Sequence, residues 1–151
     1  MATVKLEGLK ELERALAKLT KATGKGVLRR SMKKAAMPMK ALMQDLAPRG
    51  DTASDDLAES VSIGSKLSKR QAGLHLKMFR DDRAAVEMFV GPGPDPAAWN
   101  QEFGNVNHGP QPFARPAFDA EANPTLERLG PLLWAEIDKS LRRAAAKAAK
   151  G

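Results

Sequence analysis

The chain has 151 residues, a length that suits one domain with a hydrophobic core of its own. Hydrophobic residues make up 42% and charged residues 28%, which are values typical of globular proteins rather than of disordered chains. Cysteine is absent, which excludes disulfides, thiolate metal sites and cysteine nucleophiles. The net charge of +7 attracts polyanions or serves general solubility, and the composition leaves both interpretations open.

The amino-terminal segment is amphipathic and lacks the apolar core of a signal peptide. No apolar stretch reaches the length of about 18 residues that a membrane-spanning helix needs. We therefore expect a single domain over residues 1–151, made in a reducing cytoplasm, with no membrane segment. A flexible basic tail is expected at about residues 142–151, where the sequence is rich in alanine and lacks acids.

Two helices are predicted at the start of the chain. Leucines at helical spacing, with Lys and Glu on the other face, predict an amphipathic helix over residues 7–20. Gly24 and Gly26 are expected to break it. A stripe of small and apolar residues predicts a second helix over residues 27–46, with a kink or break at Pro38. The AP dipeptide that follows is expected to end this helix.

The period of the hydrophobic pattern changes to two after a polar loop at residues 49–56, which could cap a short turn through Ser60. Alternating apolar residues predict strands over 61–64, 74–79 and 84–90. Their short connections favour an antiparallel meander.

The remainder is predicted to be a long loop followed by one helix. Residues 91–116 hold most of the prolines and four glycines, and one helical turn is expected at AAWNQEF. Residues 124–147 carry a helical leucine stripe that Pro131 is expected to kink. The predicted fold class is α+β: an antiparallel sheet of three to four strands packed against two N-terminal helices and one long C-terminal helix.

No motif for catalysis is present. His75 and His108 are the only histidines, and neither stands in a metal or nucleophile pattern. The acidic pairs at residues 55–56 and 81–82 are explained more simply by turns, although paired acids can also bind Mg²⁺. GPGPDP cannot cradle a phosphate, because proline lacks the backbone donor. We therefore predict no catalytic residue, no metal site and no cofactor.

Two groups of residues are candidates for binding. The predicted second helix is basic and has no acid between Lys25 and Asp45, so it could contact phosphates without sequence preference or could be a solvated face. The candidate DNA-facing residues are Arg29, Arg30, Lys33 and Lys34. Aromatic residues gather in and beside the long loop, where they could form an interface or pin the loop onto the sheet.

The order of several short motifs resembles a known family. GLKELERALAKL is followed by an Ala-rich basic helix, then by the AP dipeptide and DLAESVSI at residues 56–63. VGPG and WNQEFGN lie at 90–93 and 99–105, and PQPFARPAF lies at 110–118. Together they resemble the tail-completion or neck (head–tail joining) proteins of long-tailed bacteriophages and prophages. The Thr-Gly that usually precedes the DLAESVSI-like element is replaced by DTASDD here.

The resemblance implies a non-enzymatic virion protein in a ring of six-fold symmetry, present in the host cytoplasm during assembly. It implies contacts with neighbouring neck, tail-terminator and tail-tube proteins, and it extends to gene-transfer particles and tail-like particles as well as infectious phages. The expected assembly interface comprises Trp99, Glu102, Phe103, Gly104, Phe113 and Arg115. Non-specific contact with genome DNA is also expected. The alternative is a small basic protein that binds DNA without sequence preference, for which tight, salt-sensitive binding by the monomer is expected.

Overall fold

The computed structural model describes residues 8–49, 56–78, 86–93 and 96–151. The fold is mostly helical, with one small sheet and a long carboxy-terminal helix. Its elements in chain order are α1 (Leu9–Ala17), α2 (Lys21–Leu46), α3 (Asp56–Ser60), β1 (Ser62–Gly64), α4 (Lys69–Met78), β2 (Phe89–Gly91), α5 (Pro96–Phe103) and α6 (Ala114–Lys150).

The two longest helices, α2 and α6, pack against each other in antiparallel directions. The buried face of α2 contains Ser31 and Ala35, whose small side chains are fully enclosed and let the helices approach closely. Arg128 of α6 donates from Nε to the carbonyl oxygen of Ala35 at 3.3 Å. This antiparallel pair contacts α1, α3 and both strands of the sheet.

A first hydrophobic cluster lies where α2 ends and α6 begins. Phe113 and Leu57 have no exposed surface there, and they pack with residues of α2, α3, α5 and α6. The other members are Met43, Ala47, Val61, Ala98 and Ala117. Burial of a side chain the size of Leu or Phe contributes roughly 1.5–3 kcal/mol, so this cluster anchors α3 and α5 to the helix pair.

A second hydrophobic cluster lies at the opposite end of the pair. Leu12 of α1 and Val27 of α2 pack there against Leu133 and Ile137 of α6. Leu12 is therefore buried against α6 and Leu16 packs beside it, as their helical spacing predicts. The predicted first helix is confirmed, with observed bounds of Leu9–Ala17.

The sheet has two antiparallel strands in the described part of the chain. Ile63 of β1 lies opposite Val90 of β2, with one residue pair on each side. The predicted sheet of three to four strands is not found among the described residues. The first predicted strand is confirmed in part as β1. The third predicted strand, over residues 84–90, is confirmed only at its end, because β2 begins at Phe89. Residues 86–88 lie outside any strand, and residues 84–85 lie outside the described residues.

The predicted strand over residues 74–79 is wrong, because residues 74–78 belong to α4; residue 79 lies outside the described residues. The helix begins with a reciprocal cap: the backbone N–H of Gln71 donates to Ser68 Oγ, and that of Ser68 to Gln71 Oε1. This S-x-x-Q capping box favours a helix start. The alternation of apolar residues is real, but these side chains are exposed and do not form one face of a sheet.

The glycines of α2 do not act as predicted, and Pro38 does not break the helix. Gly24 and Gly26 lie inside α2, which begins at Lys21, and the helix continues through Pro38. Thr20 caps its amino terminus by accepting from the backbone N–H of Thr23 at 3.3 Å. A cap at this position stabilises the first turn by about 1 kcal/mol, comparable to the cost of one glycine. The helix ends at Leu46, before Pro48, as the sequence predicts.

Helix α6 begins at Ala114, before its predicted start at residue 124, and continues through Pro124 and Pro131. Its 37 residues correspond to a length of about 55 Å. The helix runs to Lys150, and residues 141–150 are all exposed. A side chain of α5 causes this early start.

Candidate assembly surface

A buried carboxylate of α5 caps the amino terminus of α6. Glu102 Oε2 accepts from the backbone N–H groups of Phe113 and Ala114, at 2.9 and 3.0 Å. Its Oε1 accepts from the backbone N–H and from Nε of Arg115, at 3.1 and 3.0 Å. The first N–H groups of a helix lack partners inside the helix, so one carboxylate satisfies three of them.

Glu102 remains ionised because of these donors. Burial by itself would raise the pKa of this carboxyl, but the three backbone N–H groups and Arg115 lower it more strongly. The net result is a pKa below the ordinary value for glutamate. The negative charge is therefore fixed at the positive end of the α6 dipole, and it holds α5 against α6.

Three exposed side chains are arranged around this carboxylate. The rings of Trp99 and Phe103 lie 4.5 Å apart, one helical turn from each other on α5. The guanidinium carbon of Arg115 lies 4.7 Å from the centroid of the Phe103 ring, which is a cation–π contact. Trp99 is 63% exposed and Phe103 is 47% exposed. We call Trp99, Phe103 and Arg115 the aromatic surface.

Gly104 ends α5 and allows the chain to turn back. Its φ of 77° lies in the left-handed region, and an added Cβ would come within 2.8 Å of the backbone nitrogen of Pro110. The following loop folds on itself, since Asn105 Oδ1 accepts from the backbone N–H groups of Asn107 and His108. Glycine at this position is therefore required by both the backbone conformation and the space.

A cleft of about 620 Å³ lies beside the aromatic surface. One wall is formed by α4, including Arg70 and Leu74, and the other by α5, including Trp99 and Phe103. Pro92 and Gly93 lie between these walls, and the backbone N–H of Gly93 donates to Ser60 Oγ at 3.3 Å. The cleft lining is thus mainly apolar and also includes polar and charged side chains, among them Arg70 and Glu102.

The basic face of α2 is divided by its contact with α6. Arg30 Nε donates to Glu136 Oε2 at 3.0 Å, and Lys34 Nζ donates to Glu136 Oε1. These two bonds hold the pKa of the buried Glu136 at about 2. Arg29 and Lys33 are exposed and form no ion pair within the described part of the chain. Only these two candidates are thus free to reach an external polyanion without breaking an internal bond.

The structure brings the predicted interface residues together, but their surroundings differ. Trp99, Phe103 and Arg115 are exposed, whereas Glu102 and Phe113 are buried and serve the fold. The predicted place of Phe113 in the assembly interface stays a prediction; in this conformation its ring is buried in the first cluster. Sequence reasoning missed Glu136 and α4. No local signal identifies Glu136, since its partners lie more than 100 residues away.

The described residues contain no cluster of histidines and acids that could hold a metal ion. His108 lies in the loop after α5, where its ring faces Asn105 and the carbonyl oxygen of Gly109. His75 packs edge-on against the Phe89 ring, with centroids 5.3 Å apart. Among the helices in the described ranges, none has the length and apolarity to cross a membrane.

The chain belongs to the family described as "Bacteriophage HK97-gp10, putative tail-component", whose model matches residues 10–104. The match covers well over half of the chain and includes α5 with Trp99, Glu102 and Phe103. The chain is therefore a phage tail component, a class of virion structural proteins. No curated protein and no solved structure matches the chain. Helix α6 lies outside the matched residues.

Proposed function

We propose that this tail component is a subunit of the phage neck or tail top, where it joins or completes the tail at the head–tail interface. It acts as part of an oligomeric ring, with six-fold symmetry favoured, and contacts neck, tail-terminator and tail-tube proteins. The observation that carries the proposal is the aromatic surface, two of whose residues lie in the segment that matches the family.

The aromatic surface has the properties of a protein-binding site. Trp, Phe and Arg are enriched at the centres of interfaces, where large rigid side chains contribute most of the binding energy. Here Arg115 is held by both Glu102 and the Phe103 ring. Side chains that are already ordered lose less conformational entropy when a partner docks. An assembly role accounts for two aromatic rings that the fold leaves about half exposed.

Particles that carry Trp99→Ala and Phe103→Ala test the assembly role. We expect a loss of complete particles, with separate heads and tails seen by electron microscopy, while the purified variant still folds. Val106→Ala is the matched control, since Val106 is fully exposed in the next loop and lies outside the aromatic surface. Normal joining of heads to tails by the double variant would refute the proposal.

A native mass of the purified protein tests the ring. A discrete oligomer supports it directly, and mixing with the neighbouring neck or tail proteins tests whether the ring forms only in their presence. A protein that stays monomeric with every neighbour would contradict the ring.

Contact with genome DNA is a second candidate role, favoured by the exposed Arg29 and Lys33. Charge reversal of both residues should impair DNA retention or passage while leaving the internal pairs of Glu136 intact. The matched control is reversal of Lys139 and Arg143 on α6, which are also exposed. Unchanged genome delivery by the Arg29 and Lys33 variant would show that this face of α2 is only solvated. Tight, salt-sensitive DNA binding by the monomer would instead favour a stand-alone DNA-binding protein.

A further inference from the structure

Helix α4 has no buried side chain, although it is rich in apolar residues. Leu76 is 68% exposed and Met78 is 76% exposed, and Leu74 lines the cleft beside α5. A helix of 10 residues is shorter than the roughly 12–15 residues that an isolated helix needs in water. Most helical stability comes from packing of an apolar face, and α4 lacks such packing in the isolated chain.

The cleft between α4 and α5 provides a place for such packing. Leu74 stands on one wall, and the rings of Trp99 and Phe103 stand on the other. Its volume of about 620 Å³ accommodates several aliphatic side chains of a bound segment. The aliphatic character of α4 fits side chains such as Leu or Ile.

The segment that carries α4 is basic. Residues 65–78 contain four cations, namely Lys66, Lys69, Arg70 and Lys77, and no acid. Two of them, Lys69 and Arg70, lie in the first turn of α4, which contains no acid and where the helix dipole is also positive. Arg70 lines the cleft itself. A ligand with carboxylates would therefore be attracted to this rim.

Glu102, the acid among the described residues that line the cleft, does not offset this attraction. Glu102 has both carboxylate oxygens bonded to donors of Phe113, Ala114 and Arg115. Its charge is thus compensated inside the chain, and no ion pair among the described residues involves the lysines or the arginine of α4.

We propose that the cleft between α4 and α5 binds an acidic amphipathic segment of a neighbouring virion protein. Its apolar side chains lie between Leu74 and Trp99, and its carboxylates face Arg70. This inference rests on the proposed assembly function and names the chemistry of the partner segment. A segment bound there would cover Leu74, the half-exposed leucine of α4 that lines the cleft.

The experiment uses the full chain with Trp134→Phe, which leaves Trp99 as its only tryptophan. The probe is a synthetic peptide with Leu at i, i+3, i+4 and i+7 and Glu elsewhere. Its controls are the same peptide with Gln, and with Lys, in place of Glu. We expect a saturable blue shift of Trp99 emission with the Glu peptide, about tenfold weaker binding of the Gln peptide, and none of the Lys peptide.

Two variants locate the binding site. Arg70→Glu should weaken binding of the Glu peptide about tenfold, because Arg70 lines the cleft. Lys77→Glu is the matched control: it reverses the same charge on the same helix but does not line the cleft, so its effect should be about twofold or less.

Three outcomes would overturn the proposal. Equal binding of all three peptides would show an apolar cleft with no preference for acids. A Trp99 shift produced by duplex DNA and not by the Glu peptide would assign the rim to nucleic acid. If Trp99 emission shifts as the protein concentration rises and does not shift with any peptide, the cleft binds a second copy of the chain.

The proposed assembly function and the proposed acidic ligand can be refuted separately. Normal particles with Arg70→Glu, together with lost peptide binding, would refute the role of the acidic partner in assembly. Defective particles with Trp99→Ala and Phe103→Ala, but no peptide binding by the unmodified chain, would retain the assembly role and refute the acidic ligand.

Discussion

The two ends of the α2–α6 pair each contain one buried glutamate, but the donors differ. Glu102 is bonded by three backbone N–H groups, whose positions are set by the helix itself. Glu136 is bonded by the half-exposed side chains of Arg30 and Lys34, which are long and flexible. The pKa of both carboxyls is lowered, but only Glu102 has backbone donors, which cannot swing into solvent as its fourth donor, the exposed Arg115 side chain, can. Acid should weaken both ends, because both pKa values are lowered, and the end held by exposed side chains should respond more strongly to salt.

Removal of the Glu102 carboxylate should have the largest effect. Glu102→Ala leaves three N–H groups without an acceptor, so we expect a loss of about 3 kcal/mol in the free energy of unfolding. Glu102→Gln keeps one acceptor oxygen and should cost about half as much. Urea denaturation followed by circular dichroism measures both. Equal stability of Glu102→Ala and the unmodified chain would show that the cap does not stabilise α6.

A methyl group at Gly104 should have the next largest effect. Gly104→Ala combines a positive φ with a Cβ that would lie 2.8 Å from the nitrogen of Pro110, so we expect a cost of about 2 kcal/mol. Gly109→Ala is the matched control in the same loop, because an added Cβ meets nothing within 4 Å there. Similar thermal midpoints for the two variants would contradict the strain assigned to Gly104.

Acid should weaken the end of the pair that contains Glu136. Its pKa of about 2 lies below the ordinary value of 4.5, so its contribution is present above about pH 4.5 and is lost as the pH falls toward 2. The full difference in pKa would correspond to roughly 3 kcal/mol, but the half-exposed cations reduce it to about 1 kcal/mol. Glu136→Gln should remove this part of the acid dependence. An unchanged pH profile in that variant would contradict the assignment.

Substitution of single cations of α2 should have the smallest effects on stability, and these effects should differ between neighbouring residues. Arg30→Ala breaks one bond to Glu136 and should cost about 0.5–1 kcal/mol, with less effect at high salt. Arg29→Ala is its control on the exposed side and should change stability by no more than about 0.5 kcal/mol. If the two variants are equally stable in low salt, the pair with Glu136 does not contribute.

The same contrast explains what the sequence can predict. The helices α1 and α2 and the later part of α6 follow from apolar stripes, because burial on one face leaves a local periodic pattern. The cap of α6 is different: Glu102 acts on residues 113–115 from another helix, and no local pattern marks it. This non-local cap explains why α6 begins ten residues before its predicted start. The alternation in α4 misleads because its apolar side chains are not packed in the isolated chain.

The candidate site was predictable in its residue types and less so in its geometry. The aromatic and arginine content of the loop identified Trp99, Phe103 and Arg115, which the structure brings into contact. The sequence could not separate them from Phe113, since an exposed and a buried phenylalanine look alike without the fold around them. The basic stretch of α2 likewise gave no sign that Glu136 engages two of its cations.

The loop that follows Gly104 is closed at its base. The backbone N–H of Gln111 donates to the carbonyl oxygen of Gln101 at 2.6 Å, next to the bonds of Glu102. Because this base is fixed independently of the loop's tip, the number of residues between its ends is free to change. Doubling the length of such a loop costs only about 0.6 kcal/mol. Related phages could thus lengthen or recode this tip, around the fully exposed Val106, while the helical frame stays the same.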